Sequence, residues 1–104
     1  MLKPGDVILA RMQYVDSFES KVRPALVLFE ELDNVVIAGI TTNLKMKGIP
    51  ISKAEGAAQD SVIKLNYIFT ISSKTLMKRL FHLTKEKKNI IYDELISHFS
   101  DLKV

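Results

Sequence analysis

The ten residues Ser20–Phe29, SKVRPALVLF, set an arginine directly before a proline and then run apolar to their end. A residue that precedes proline is steered out of helical backbone into extended conformations, and proline itself is accepted at the first position of a strand. The stretch therefore predicts a β-strand over Pro24–Phe29, with Arg23 held at its mouth. Its unbroken apolar run has the look of a buried strand. Two roles are open for Arg23. It is either a gatekeeper charge that keeps an apolar strand from aggregating, or a permanently charged fork of donors aimed at phosphate oxygens.

Working outward, the turn pair Pro4-Gly5 introduces a first strand over Asp6–Met12. Between the two strands lies Gln13–Val22, longer than the roughly 2–5 residues of an ordinary hairpin loop, and a loop of that length is either functional or simply irregular. On the other side, EELDN supplies turn chemistry, with Asp33-Asn34 able to take left-handed backbone. Val35–Thr41 then reads as a central strand. Gly39 within it signals a bulge or the close approach of another backbone. Ile49–Ser52 is a short edge strand, since Pro50 cannot donate to a ladder. Ser61–Leu65 and Tyr67–Ile71 complete the sheet.

The period then changes. Ser72 or Ser73 is placed to cap a helix through Lys74–Leu83, KTLMKRLFHL, with Leu76, Leu80 and Leu83 on one stripe. Asn89–Phe99 repeats the pattern with Ile91, Leu95 and Phe99 spaced by four. Short strands followed by helices predict a mainly β, α+β chain: a small curled β-barrel over about residues 3–71 and helices over about 72–100, in one domain, 1–104.

Composition narrows the function classes. The 104 residues are 47% hydrophobic and 26% charged, which excludes a disordered chain. There is no cysteine, so disulfides and thiolate metal sites are excluded and a reducing cytoplasm suits the chain. The N-terminal MLKPGDVILARM is interrupted by Lys3, Asp6 and Arg11 and so is no signal peptide, and no stretch approaches the roughly 20 apolar residues of a membrane span. The net charge of +3 is compatible with a nucleic-acid partner. Lys74 and Lys78 fall on one face of the first helix, suited either to solvent or to an acidic or RNA partner. His82 and His98 have no zinc-ligand spacing and read as structural, His82 at a helix end beside free carbonyls. Thr41-Thr42 ends the central strand, where a hydroxyl either suits a strand or donates to a phosphate.

In order and spacing, KPGDVILARM, VRPALVL, IAGITTNL, IPIS and QDSVIKLNYIFTISSKTLMKRL resemble the MazF/PemK toxins of type II toxin–antitoxin systems. The resemblance covers roughly Lys3 to Leu83, and Gly5-Asp6-Val7, Arg23-Pro24 and Asp60-Ser61-Val62 carry it most specifically. It implies an SH3-like barrel of the MazF/PemK/CcdB type, usually a cytoplasmic homodimer. It also implies a metal- and cofactor-free endoribonuclease that cuts single-stranded RNA by attack of a ribose 2′-OH on the adjacent phosphate. On this resemblance Arg23 is the active arginine and Thr41 the strand-end threonine. Asp16 and Glu19 lie in the loop just before Arg23, near enough in sequence to orient it or to serve as the base, with a salt-bridged loop as the alternative. The loop Gln13–Val22 covers the RNA groove, to which Asp16, Ser17, Phe18, Lys21, Thr42, Lys45, Lys64, Asn66 and Tyr67 contribute. Tyr14, Phe18 and Tyr67 are candidates for base stacking, with core packing the alternative for Tyr67. The implied partner is a short acidic antitoxin laid in the same groove. The chain departs from the pattern in two places. Lys64-Leu65-Asn66 stands where some members carry Arg-x-Asp, and Phe69 where many carry arginine. Toxins that act on DNA gyrase by protein contact share this barrel and use the C-terminal helix around Asp93–Phe99, and a homologue that binds without cutting is the other alternative. Arg23→Ala is nearly silent in the gyrase case and decisive in the ribonuclease case.

Overall fold

The computed structural model describes residues 2–13 and 19–104. Tyr14, Asp16, Ser17 and Phe18 of the expected loop lie outside the described residues. Six antiparallel strands, β1 (Asp6–Gln13), β2 (Ser20–Glu31), β3 (Asn34–Thr41), β4 (Ile49–Ile51), β5 (Ser61–Ser72) and β6 (Leu76–His82), form one sheet in the order β4-β5-β3-β2-β1-β6. Among the described residues one α-helix, α1 (Lys85–Phe99), follows. The sheet curls into a half-barrel, the mainly β fold that the strand pattern predicts, with β3 in its interior and the Pro50 strand at one edge.

Three details differ from the sequence reading. The first two strands run further than expected and pair as far as Gln13 opposite Ser20, which shortens the connection between them. The left-handed pair in the β2–β3 hairpin is Leu32 (φ 48°) and Asp33 (φ 66°), and Asn34 already belongs to β3. The largest difference is at Leu76–His82, which is a strand and not a helix. There, β6 completes the free edge of β1, with Val7 opposite Phe81 and Ile8 opposite Arg79. Leu76, Leu80 and Leu83 have helical spacing but divided fates. Leu76 packs into one core, Leu80 is exposed, and Leu83 lies beyond the strand in the other core. Ser72 does cap, but it caps a single 3-10 turn at Ser73–Thr75, accepting from the Lys74 amide at 3.2 Å. Lys74 and Lys78 therefore share no helix face.

The sheet has two apolar faces. Ile8, Ala10, Met12, Ala25, Val27, Val35, Ile37 and Ile71 fill the inside of the curl, with Phe69 and Leu76 packed against them. On the other face Val7, Leu26, Ala38, Ile40, Ile63 and Leu65 cluster with Ile49 and Ile51 of β4 and with Ile91 of α1. Strand β5 serves both. Ala38 and Gly39 are neighbours on β3, yet their partners on β5 are Ile68 and Lys64, so Leu65–Tyr67 form a three-residue bulge. Because side chains alternate along a strand, the odd insertion exchanges the faces. Ile63 and Leu65 point to the helix side before it, and Phe69 and Ile71 point into the curl after it.

The Gly5-Asp6-Val7 segment ties these parts together. Gly5 (φ 101°) takes a conformation few side chains adopt, and a Cβ there would stand 2.5 Å from the Lys88 side chain. Its amide donates to Val27 O at 3.0 Å and its carbonyl accepts from Leu83 N at 2.9 Å. Asp6 is fully buried. It accepts from the Lys3 amide at 2.8 Å and lies 2.7 Å from His82 Nδ1, while His82 Nε2 is 2.9 Å from Lys88 Nζ. With Lys88 donating to Nε2, the neutral imidazole carries its hydrogen on Nδ1 and donates it to Asp6. His82 is thus structural, as its spacing suggested, but it stands at a strand end with a carboxylate as its partner. Burial raises the Asp6 carboxyl; the Lys3 and His82 hydrogen bonds and the Arg79 charge together outweigh it and hold the group below its ordinary value. At the other end of the sheet, Lys87 of α1 donates to Pro50 O at 2.6 Å and lies 3.4 Å from Glu55. This fixes the helix to β4 and the turn that follows it.

Candidate functional site

Register decides which side chains meet at the open end of the curl. Ala25 of β2 pairs with Gly39 of β3, and Gly39 pairs on its other side with Lys64 of β5. Carrying the β2–β3 register two residues outward sets Arg23 opposite Thr41. Side chains two apart share a face, so Arg23, Thr41 and Lys64 surround Gly39 on the face that Ala25 occupies. Gly39 has no side chain, which leaves the floor between the three groups open. Tyr67 leans over that floor from the β5 bulge, and a Cβ on Gly39 would stand 3.5 Å from its Cβ. The close approach expected at Gly39 is therefore that of Tyr67.

The result is an open groove of about 620 Å³ lined by Arg23, Thr41, Thr42, Lys64 and Tyr67, with Met46 and Gln59 completing the wall. Two of these side chains are cationic, and among the described residues no aspartate or glutamate stands in the lining. Arg23 is exposed. Its Nη1 donates to the Val22 carbonyl at 3.1 Å, which engages one of five guanidinium donors. The Thr41 hydroxyl oxygen accepts the Asn43 amide at 3.1 Å, and its hydrogen remains the natural donor to a ligand. Lys64 is buried. Its ammonium donates to the Lys47 carbonyl and sits 5.7 Å from the Tyr67 ring centroid, within cation–π range. Tyr67 is half exposed, so core packing is not its role. Such a surface can hold a phosphate between two fixed charges and offer an aromatic face beside it.

The remaining candidates are more dispersed. Asn66 turns into a neighbouring groove whose wall includes Lys64. Glu19, Lys21 and Lys45 are exposed and lie outside the groove lining, with the Lys45 amide bonded to Asn43 Oδ1 at 3.1 Å in the turn after β3. Met46 and Gln59 are missing from the sequence reading. Both come from connecting segments, and only the curl of the sheet brings them to Arg23. Among the described residues no group of three or more histidine, cysteine, aspartate or glutamate side chains is placed to hold a metal ion, and no helix is long and apolar enough to cross a membrane.

The comparisons with known proteins converge. The profile of the PemK-like, MazF-like toxin of type II toxin–antitoxin systems matches residues 3–99. Endoribonuclease EndoA of Bacillus subtilis (strain 168) is 30% identical over 106 residues, covering 91% of each chain. Among solved structures, the Mycobacterium tuberculosis toxin MazF-mt6 superposes with a TM-score of 0.75 at 24% identity, over 91% of this chain and 96% of that one. An endoribonuclease in complex with its cognate antitoxin, from a mycobacterial species, gives 0.72 at 17% identity over 93% and 91%. At these identities the two structures speak for the fold alone.

Proposed function

Because this chain belongs to the PemK-like, MazF-like toxin family of type II toxin–antitoxin systems, we propose that it is a metal-independent endoribonuclease that cleaves single-stranded RNA and is neutralised by a cognate antitoxin. The observation that carries this reading is the convergence of Arg23, Thr41 and Lys64 around the bare floor at Gly39. A relative named as an endoribonuclease supports it.

In this reading the scissile phosphate lies against Arg23, with Thr41 as a second donor. The 2′-oxygen of the preceding ribose attacks phosphorus, its proton passing to Glu19 or Asp16 of the covering loop. The P–O5′ bond breaks, and the 5′-oxygen takes a proton from solvent water to leave as a hydroxyl. The products are a 2′,3′-cyclic phosphate and a 5′-OH. Negative charge grows on the phosphoryl oxygens in the transition state, so fixed donors aimed there accelerate the step. The nucleophile belongs to the substrate, and the chemistry asks for no metal. Ser17, Phe18, Lys21, Thr42, Lys45, Asn66 and Tyr67 hold the strand on either side, and the acidic antitoxin competes for the same cations. The active form is a cytoplasmic homodimer.

The test is cleavage of a long unstructured RNA in EDTA by wild type and Arg23→Ala, with the product ends analysed. Removal of one such donor costs on the order of 10²–10³ in rate. Cyclic-phosphate ends that disappear in the variant are the expected result. Undiminished cleavage, or undiminished toxicity in cells, by Arg23→Ala would overturn the assignment and favour action by protein contact.

A further inference from the structure

Lys64 has two sides. One faces the Arg23–Thr41 groove, and the other forms part of a second groove of about 520 Å³ between the start of β4, the β5 bulge and the C-terminal half of α1. The chemistry of its lining is mixed, whereas the charged side chains among the described lining of the first groove are Arg23 and Lys64. Lys47 and Lys64 supply cations, Asn66 an amide, and Glu94 and His98, four apart on α1, a carboxylate and an imidazole 3.6 Å from one another. The Glu94 and His98 side chains are both about half exposed, so this pair holds no buried part of the fold together. A surface pair of this kind contributes little to stability. Its interest is that it sets an acceptor in the same groove as the donors of Asn66 and the two lysines.

We propose that this second groove is the subsite for the nucleobase next to the phosphate held by Arg23 and Thr41, and that Glu94 makes it select a base bearing an exocyclic amino group over uracil. The proposal rests on the ribonuclease reading of the first groove, because Lys64 is the wall through which one strand passes from one groove to the other. The edge chemistry fits. Cytosine, adenine and guanine each present an amino donor beside a ring or carbonyl acceptor, and a carboxylate next to an amide or ammonium donor answers both groups. Uracil has no amino group, and its two carbonyls flank a single N–H. A carboxylate that accepts that N–H is brought against a flanking carbonyl oxygen with no hydrogen between them. Tyr67, on the Lys64 side of the first groove, supplies a ring face for stacking at the same junction. Glu94 and His98 are therefore specificity-determining residues, and neither belongs to the phosphate-binding set.

The test separates base selection from cutting. Short RNA oligonucleotides carrying a 2′-O-methyl group at the scissile nucleotide cannot supply the attacking hydroxyl, so their binding is read without cleavage. Each position next to that nucleotide is varied through the four bases, and Kd is measured for wild type, Glu94→Ala and Glu94→Gln. Wild type is expected to bind the amino-bearing bases about tenfold more tightly than uracil at one adjacent position. Glu94→Ala and Glu94→Gln are both expected to lose most of that preference, Gln because its amide can turn an N–H toward a uracil carbonyl. Absence of any base preference in wild type, or its persistence in Glu94→Ala, overturns the proposal. Unmodified RNA left uncut by a wild type that still shows the Glu94-dependent preference would sink the ribonuclease reading and leave the subsite standing.

Discussion

Asp6→Asn is a sharp probe of what holds this fold together, because Asp6 is fully buried and faces two donors. The Lys3 amide and His82 Nδ1 stand 2.8 and 2.7 Å from its two oxygens. Asparagine offers one acceptor where two are needed, so one donor must face an NH2 group. Loss of a charged acceptor and one unsatisfied buried donor together cost about 2–4 kcal/mol, a fall in Tm on the order of 10–15 °C for a chain of this size. The pH dependence is the stronger prediction. The folded-state pKa of Asp6 is depressed, so the unfolded chain takes up the proton first as acid is added. The carboxylate's contribution is then complete above the ordinary carboxylate range, about pH 4, and is lost as pH falls through the lower folded value. Urea unfolding midpoints for wild type and Asp6→Asn at pH 7, 5, 4 and 3 measure both effects. The two stability curves should converge on acidification. Glu55 is depressed in the same direction, its hydrogen bonds from Ser52 and the Lys87 charge outweighing burial, so Glu55→Gln serves as the comparison. Parallel curves, or a variant within about 0.5 kcal/mol of wild type at pH 7, would refute the assignment of Asp6 as the charged hub.

Two further substitutions test the backbone. A Cβ at Gly48 would lie 2.3 Å from Ile63 O and 2.5 Å from a Val62 methyl, whereas at Gly39 its nearest neighbour is 3.5 Å away. Gly48→Ala should therefore destabilise by about 2 kcal/mol or more and Gly39→Ala by under about 0.5 kcal/mol, which denaturant melts resolve. Because Gly39 forms the groove floor, its alanine variant should instead weaken RNA binding. In the β2–β3 hairpin, Leu32 and Asp33 both carry positive φ with Leu32 almost fully exposed, the geometry that favours Asn-Gly. The double change Leu32→Asn, Asp33→Gly should stabilise by about 0.5–1 kcal/mol, and an unchanged or lowered Tm would count against a strained turn.

The half of the chain up to β4 is readable because its punctuation is local. Pro4-Gly5, Arg23-Pro24 and Pro50 each fix a strand start or an edge within a few residues. Thr41 could be placed at a strand end for the same reason. Arg23, read as standing at a strand mouth, instead lies three residues inside β2 opposite Ala10, because pairing with β1 carries the strand back to Ser20. The segment Leu76–His82 defeats such reading. Its leucines recur at helical spacing, but the fate of the segment is decided by the unfilled edge of β1, some 70 residues away, which no local window contains. The exchange of faces within β5 is hidden likewise, since Leu65-Asn66-Tyr67 carries no glycine or proline to announce a bulge. The second groove inherits both difficulties, being assembled from that bulge and from a helix that sequence placed but did not dock.

The bulge also constrains how the chain can change over evolutionary time. Lys64 faces the groove while Ile68 faces the helix side only because three residues separate the two halves of the ladder. Removing one of them would reverse every side chain on one half, and removing two would preserve the phase. At Leu65–Tyr67 selection therefore acts on the parity of the residue count. Substitutions can accumulate there, and gaps are admissible only in pairs.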